Sequence, residues 1–555
     1  MDITIRVAGE AGQGVQTTGT LLAGVCGRLG LHVAATKSYM SRIRGGLNWF
    51  DVRLGEAPLC AGRDDADVLV ALSEAALDVL GGGVRDGGVA LYDGDEAPGA
   101  ATGVNFTQIA RDVAESKVMA NTVATGAIFA VCGYDVEKLC DYLREQFADK
   151  GEDVAEKNVA CARAGAERVG ALRGALTGPK ATGAPPALMT GAEAIGLAAA
   201  TAGVKLAAAY PMTPGTGTFT TLASLADDYG IVVEQAEDEI AAVNMLCGAT
   251  YGGVPAMAST SGGGFALMAE GLSLAGIMEL PICIVVAQRP GPATGLPTRT
   301  GQQDLQFALR AGHGEFARAV YAPGTVAQCG ELTRRALQTA HRFQTPALIL
   351  TDQFLQDFQT NVDEPDRTYR PIDRCLADDA GKGYKRYAVT DSGVSPRAIP
   401  GGDAFVVVDS DSHTDAGKIS EDLRGHVAQQ DKRMRKAEAL ADEALAPEYY
   451  GPDDAERLLV CWGSTYGPCR EAVDANNADR RRKPAAMLHF AQVWPLHVAA
   501  ARDALGGPDE VYCVEGNQTA QFAALLRECG LLDACALISR YDGMPFTARY
   551  ILEAM

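Results

Sequence analysis

Ile282-Cys283-Ile284-Val285-Val286-Ala287, followed by Gln288-Arg289-Pro290-Gly291-Pro292-Ala293-Thr294-Gly295-Leu296-Pro297-Thr298, is the stretch that decides the fold. Its first half is short, continuously apolar and rich in β-branched residues, the signature of a strand buried on both faces of a parallel sheet. Its second half is shaped by proline and glycine into a long loop at the carboxyl end of that strand, where α/β enzymes place their ligands. Arg289 opens this loop, and its planar guanidinium can grip a carboxylate through two parallel hydrogen bonds.

The same pattern extends in both directions. Toward the N-terminus, strands are expected at Ile231–Glu234 and Ala256–Thr260, and beyond them at Ile3–Val7, Asp67–Leu72 and Gly88–Tyr92. Toward the C-terminus they are expected at Ala347–Thr351, Arg457–Gly463, Ala485–Phe490 and Glu510–Glu515, with helical spacing between. A Gly/Pro/Thr-rich run from Thr177 to Pro186 has the composition of a linker. The reading is an α/β protein of three α/β domains in series: residues 1–177, 188–360 and 456–555, with a charged connector at 361–455. Within that connector a helix is expected over Lys432–Ala444.

Bulk properties narrow the function classes. Of 555 residues, 47% are apolar and 21% charged, as in ordinary globular proteins. The net charge of −21 argues against nucleic acid or an anionic membrane as the main partner. Met1–Ala8 reads directly as a strand rather than a basic, then apolar, leader, and no apolar run is long enough to span a bilayer. The fourteen cysteines include no CxxC pair, so the chain is expected to hold no metal or iron–sulfur cluster. Reduced thiols and a cytoplasmic location follow.

Five further segments carry chemistry. Gly9-Glu10-Ala11-Gly12-Gln13-Gly14 stands between a strand and a helix, where backbone N–H groups can hold an anion; a tight structural turn explains it equally. Arg42-Ile43-Arg44-Gly45-Gly46 adds guanidinium groups suited to a phosphorylated ligand, or to a surface salt bridge. Tyr210-Pro211-Met212-Thr213-Pro214-Gly215-Thr216 presents the Thr213 hydroxyl on a rigid loop, where a plain rigid turn is the alternative. Gln235–Asn244 begins a small-residue helix with three carboxylates, which the helix dipole alone would favour; Glu239 is the one a close-packed helix could desolvate. Ser259-Thr260-Ser261-Gly262-Gly263-Gly264-Phe265 makes a second glycine loop.

Together these segments resemble the 2-oxoacid:ferredoxin (2-oxoacid:acceptor) oxidoreductases, in the arrangement with a γ domain fused ahead of the α domains. The resemblance rests on GxxGQG and RGG at Gly9–Gly14 and Arg44–Gly46, and on the YP(I/M)TP, ExExAA, TSGxGxxLM and QRxGPxTGLPT patterns. Val514–Gln521 and Tyr541-Asp542-Gly543 match the last domain. It implies a γ-type Rossmann-like domain at 1–177 that contacts coenzyme A, with Gly12, Gly14 and Arg44 as candidates. It also implies a thiamine diphosphate pyrimidine-binding domain at 188–360 and a transketolase C-terminal-like domain at 456–555.

The resemblance also implies residue roles. Glu239 would hydrogen-bond N1′ of the thiamine aminopyrimidine, favouring the tautomer that activates the thiazolium C2. Thr213, Arg289 and Thr298 would hold the 2-oxoacid. The implied reaction is oxidative decarboxylation with CoA to acyl-CoA and CO2, reducing ferredoxin, with 2-oxoglutarate as the substrate expected ahead of pyruvate and branched-chain 2-oxoacids. The Mg2+–diphosphate motif and the [4Fe-4S] ligands are missing from the thiamine-associated part; Asp93-Gly94-Asp95 lies in the first domain. Both are implied to reside on a separate β subunit in an (αβ)2 heterotetramer, thiamine diphosphate being shared between subunits. A self-contained thiamine enzyme and a non-catalytic scaffold paralogue are the alternatives.

Overall fold

The computed structural model describes residues 1–41, 45–377, 380–381 and 383–555. The chain divides into two compact units, one of residues 1–189 and 358–365, the other of residues 190–357 and 366–555.

The first unit is built on an eight-stranded mixed sheet in the order Thr102–Gly103, Val84–Tyr92, Ala66–Ala71, Asp2–Glu10, Leu47–Gly55, His32–Ser38, Gln359–Val362 and Ala187–Thr190. Ile3, Ile5 and Val7 lie in its core as their alternation requires. The hairpin of His32–Ser38 and Leu47–Gly55 runs antiparallel beside the first strand, so the simple strand–helix alternation expected of a Rossmann-like unit is interrupted here. This neighbour also buries Arg6, a polar position of the first strand, and supplies Asp51 to pair with it through two bonds of 2.7 and 2.8 Å. Helices Ala120–Val131 and Glu152–Arg168 approach so closely that a Cβ at Gly126 would collide with Ala162 O, and one at Gly165 with Val123 O.

The second unit holds two sheets. The larger runs Val232–Gln235, Leu206–Ala209, Ala256–Thr260, Cys283–Gln288, Ala347–Asp352 and Ala319–Tyr321, all parallel, and is closed by the antiparallel strand Gln492–Trp494. The smaller runs Glu448–Tyr450, Ala485–Phe490, Arg457–Trp462, Glu510–Glu515 and Ala536–Ser539. One core cluster joins Phe265 and Ile284 of the first sheet's layers to Trp462, Phe490 and Phe522 of the second. Shared core and shared edge strand explain why two regions read separately in the sequence form a single compact unit.

The connector divides unexpectedly. Residues 358–365, the end of the expected 188–360 domain and the first residues of the connector, belong to the first unit, where Gln359 and Thr360 pair with Ala35 and Ala34. The remainder packs within the second unit. Its helix spans Leu423–Asp442, starting nine residues earlier than Lys432, with Asp422 capping the N–H groups of Arg424 and Gly425.

Candidate active site

In the larger parallel sheet the chain leaves Leu206–Ala209 for Val232–Gln235 on one side and returns to Ala256–Thr260 on the other. That reversal opens a crevice at the carboxyl ends of the strands. The three loops that follow these strands carry Thr213, Glu239 and the Gly262–Gly264 turn. The loop after the next strand, Cys283–Gln288, carries Arg289 and Thr298.

Glu239 is the first residue of the helix Glu239–Tyr251, behind the cap Asp238, whose carboxylate accepts the Ala241 N–H at 2.7 Å. Because Asp238 does the capping, Glu239 is free to turn inward, and it is 2% exposed. Its Oε1 is buried without a hydrogen-bond partner, as is the neighbouring Thr260 Oγ1. Burial pushes the Glu239 carboxyl above the usual carboxylate range. A Cβ at Gly264 would collide with both oxygens, so a side chain is excluded there and the carboxyl tip keeps its place.

The Tyr210–Thr216 loop is fastened to the same turn. Ser259 Oγ donates to Gly215 O at 2.8 Å, and Ser261 Oγ donates to Met212 Sδ. Arg289 Nη1 donates to Thr213 O at 2.7 Å, which ties the two candidate substrate residues together. Burial lowers the Arg289 pKa, yet a guanidinium stays charged at neutral pH. Thr298 is buried at the far end of the Arg289 loop.

Two features escaped the sequence reading. Asp304 lies against Gly262, where a Cβ would collide with its carboxyl group, and its Oδ2 is buried without a partner. Burial pushes this carboxyl up to about 6, with Arg289 offsetting part of the rise. Its position before the helix Leu305–Arg310 looks like an ordinary N-cap in sequence, but its side chain makes no capping bond. The second feature is how the tail holds the loop. Gln302 N donates to Gly516 O at 2.8 Å, Gly516 N returns a bond to Gln302 Oε1 at 2.8 Å, and Asn517 Nδ2 donates to Gln302 O at 2.9 Å. Thr300 N donates to Gly543 O at 3.2 Å. The tail motifs thus work as clamps on the segment that follows Thr298.

In the first unit, Gly12 and Gly14 both have left-handed backbone, at φ 92° and 85°. Gly14 precedes the helix Val15–Arg28, and a Cβ on it would strike Asn121 Oδ1. Arg44 lies outside the described residues. Asp93 accepts the backbone N–H and hydroxyl of Thr107 at 2.9 and 2.6 Å, a structural use of the Asp-Gly-Asp run. Among the described residues no group of three or more His, Cys, Asp or Glu side chains is placed to hold a metal ion.

The chemistry of this donor set suits thiamine diphosphate: a buried carboxyl with one oxygen left without a partner, whose protonated form burial favours, can pair with the aminopyrimidine N1′. Residues 197–432 match the family model described as pyruvate flavodoxin/ferredoxin oxidoreductase, thiamine diphosphate-binding, and residues 4–168 match the pyruvate ferredoxin/flavodoxin oxidoreductase model. Fold and crevice therefore define a thiamine diphosphate-binding α/β oxidoreductase chain. The 2-oxoglutarate oxidoreductase subunit KorA of Mycobacterium tuberculosis is 30% identical, over 100% of this chain and 92% of its own. A 2-oxoacid:ferredoxin oxidoreductase subunit alpha from Sulfolobus sp. is 28% identical over 100% and 96%. The 2-oxoglutarate:ferredoxin oxidoreductase of Magnetococcus marinus, solved with 2-oxoglutarate, coenzyme A and succinyl-CoA bound, superposes with a TM-score of 0.92 at 30% identity, covering 100% of this chain and 98% of that one. This chain belongs to the 2-oxoacid:ferredoxin oxidoreductase family, on the side of its α subunits.

Proposed function

We propose that the chain is the fused γ/α subunit of an enzyme that converts 2-oxoglutarate, CoA and two oxidised ferredoxins to succinyl-CoA, CO2, a proton and two reduced ferredoxins. The observation that carries this reading is the buried Glu239 carboxyl, its Oε1 without a hydrogen-bond partner, at the same end of the sheet as the Arg289–Thr213 pair. The 2-oxoglutarate assignment draws on the Magnetococcus and Mycobacterium relatives, which match the whole of this chain.

Each residue has a distinct task. Arg289 binds the substrate carboxylate through its planar donors, and its bond to Thr213 O fixes the guanidinium before substrate arrives. Thr213 and Thr298 border the bound 2-oxoacid. Glu239 would hydrogen-bond N1′ of the cofactor, and burial raises its pKa, which favours the protonated carboxyl that such a bond calls on. Thiamine diphosphate, when bound, supplies the carbon nucleophile for the 2-oxo group and takes up the electron pair left as CO2 departs. Gly12, Gly14 and Arg44 in the first unit are the residues we assign to contact with CoA.

The remaining parts are assigned to a β subunit: the Mg2+–diphosphate site and the [4Fe-4S] cluster through which electrons leave singly to ferredoxin. The assembly would be an (αβ)2 heterotetramer in the cytoplasm. The test is Glu239→Gln in the complex reconstituted with its partner. It should lose at least about a hundredfold in 2-oxoglutarate-dependent viologen reduction, the scale of a lost general acid–base contribution, while still assembling. Near-normal turnover would overturn the assignment.

A further inference from the structure

Asp304 occupies the position of a helix cap without capping, and this diversion has a geometric cause. Its backbone N–H donates to Gln288 Oε1 at 3.0 Å, and Gln288 Nε2 donates in turn to Thr351 O at 3.2 Å. The next residue after Gln288 is Arg289, and Gly291 N donates to Gln303 Oε1 at 2.9 Å. Gln303 and Asp304 thus hold the two ends of the segment that bears the guanidinium, Gln303 at Gly291 and Asp304 at Gln288. The Asp304 carboxyl is turned away from its own helix and laid over Gly262, where only a residue without Cβ leaves room for it. Gly262 and Gly264 thus accommodate two inward carboxyls, Asp304 and Glu239, on one turn.

We infer that Asp304 is a positioning residue for the 2-oxoacid clamp: its carboxyl group, buried over Gly262 and held by its own backbone N–H to the residue before Arg289, sets how strongly that guanidinium attracts an incoming carboxylate. This inference rests on the proposed role of Arg289. An ionised Asp304 neutralises part of the Arg289 field and competes with the substrate anion, whereas a neutral Asp304 leaves the full charge to the substrate. The charged group that acts on it is Arg289 on the adjoining loop; Glu239 lies against Gly264, two residues along from the Gly262 that Asp304 covers. Arg310 on its own helix is engaged by Glu528. Burial brings the Asp304 carboxyl to about 6, so both forms are accessible near neutrality. The sign follows: a bound carboxylate favours protonated Asp304, so substrate binding takes up a proton and weakens as pH rises through about 6.

The probe is 2-hydroxyglutarate, which keeps the carboxylates of the substrate but has no 2-oxo carbon to react. Its inhibition constant against the assembled enzyme is measured from pH 5.5 to 8, for the native chain, Asp304→Asn, Asp304→Glu and Arg289→Gln. In the native enzyme the constant should rise with pH. Asp304→Asn should flatten that rise and bind about three- to tenfold more tightly at pH 8, the effect of removing one nearby, partly screened charge. Asp304→Glu should restore the slope. Proton uptake on binding, read by calorimetry in two buffers of different ionisation heat, should disappear in Asp304→Asn. A merely structural Asp304 would leave the slope and the proton uptake in place, and that result overturns the inference. An Arg289→Gln enzyme that binds the probe normally would instead overturn the clamp itself. Should Asp304→Asn fail to assemble, a native enzyme whose binding takes up no proton overturns the inference unaided.

Discussion

At the scale of single residues, the site is legible where chemistry sits in the chain's own local pattern. Thr213, Glu239 and Arg289 each follow a strand, and their residue types match what a loop at a strand's carboxyl end can use. Asp304 and Thr260 were not legible, because their roles arise from burial and from what lies opposite a glycine, neither of which is a local property. The glycine turn makes the point testable. A methyl group at position 264 would enter the space held by Thr260 Oγ1 and Glu239 Oε1. Either the carboxyl tip or the turn must shift, and misplacement of a reacting group by about 1 Å costs on the order of a hundredfold. Gly264→Ala is therefore expected to lower turnover by about that factor. Gly263→Ala, whose Cβ would have no atom closer than Ala293 O at 3.9 Å, should lose far less. Steady-state rates of the two assembled variants, compared side by side, check this; equal losses would mean that the Glu239 contact is not the cause.

At the scale of elements, apolar periodicity found the strands of the buried sheets and failed where the buried face is polar. The helix Leu423–Asp442 buries Gln429, Lys432, Arg433, Lys436 and Leu440, a stripe at helical spacing that is almost entirely polar. Its anchor is Glu279, 1% exposed, which receives Lys432 Nζ at 2.6 Å and Lys436 Nζ on its other oxygen. Burial alone would raise the Glu279 pKa, but Lys436, then Lys432 and Arg386, outweigh it and hold the carboxyl down at about 2. Removing that one negative charge leaves two buried ammonium groups without compensation. Glu279→Gln is expected to destabilise the second unit by about 3–5 kcal/mol, the range for breaking a buried ion pair on one side. Urea denaturation of the purified chain reads this directly, and a loss under about 1 kcal/mol would place the anchor elsewhere. The pH dependence has a fixed sign. A carboxyl depressed in the fold stabilises fully above its unfolded value, roughly 4.3, and that contribution fades as pH falls toward 2. The antiparallel hairpin at 32–55 escaped for a different reason: it breaks the strand–helix rhythm, and its register depends on a partner strand far away in sequence.

At the scale of the whole molecule, the fold class was readable because buried parallel strands leave unmistakable apolar runs, whereas the division into compact units was not. Gln492–Trp494 completes a sheet begun at Leu206, and a core shared by two sheets leaves no mark in local composition. The chain's fourteen cysteines are free and dispersed, ten of them buried, and most serve as small apolar groups in the core. Burial raises the pKa of Cys26, Cys283 and Cys329, as befits thiols packed as small apolar groups. A cluster would need several thiolates converging on one point, and the described residues offer no such group. The chain purified alone should therefore carry no iron and reduce no viologen with 2-oxoglutarate and CoA, even with thiamine diphosphate and Mg2+ added. Adding the partner subunit should restore both the iron–sulfur absorption and the turnover, in proportion to partner until the sites are filled. Iron bound stoichiometrically by the isolated chain would show that electrons leave from this subunit. Turnover without iron would show that the site is complete without a partner, which would return the chain to the self-contained thiamine enzymes.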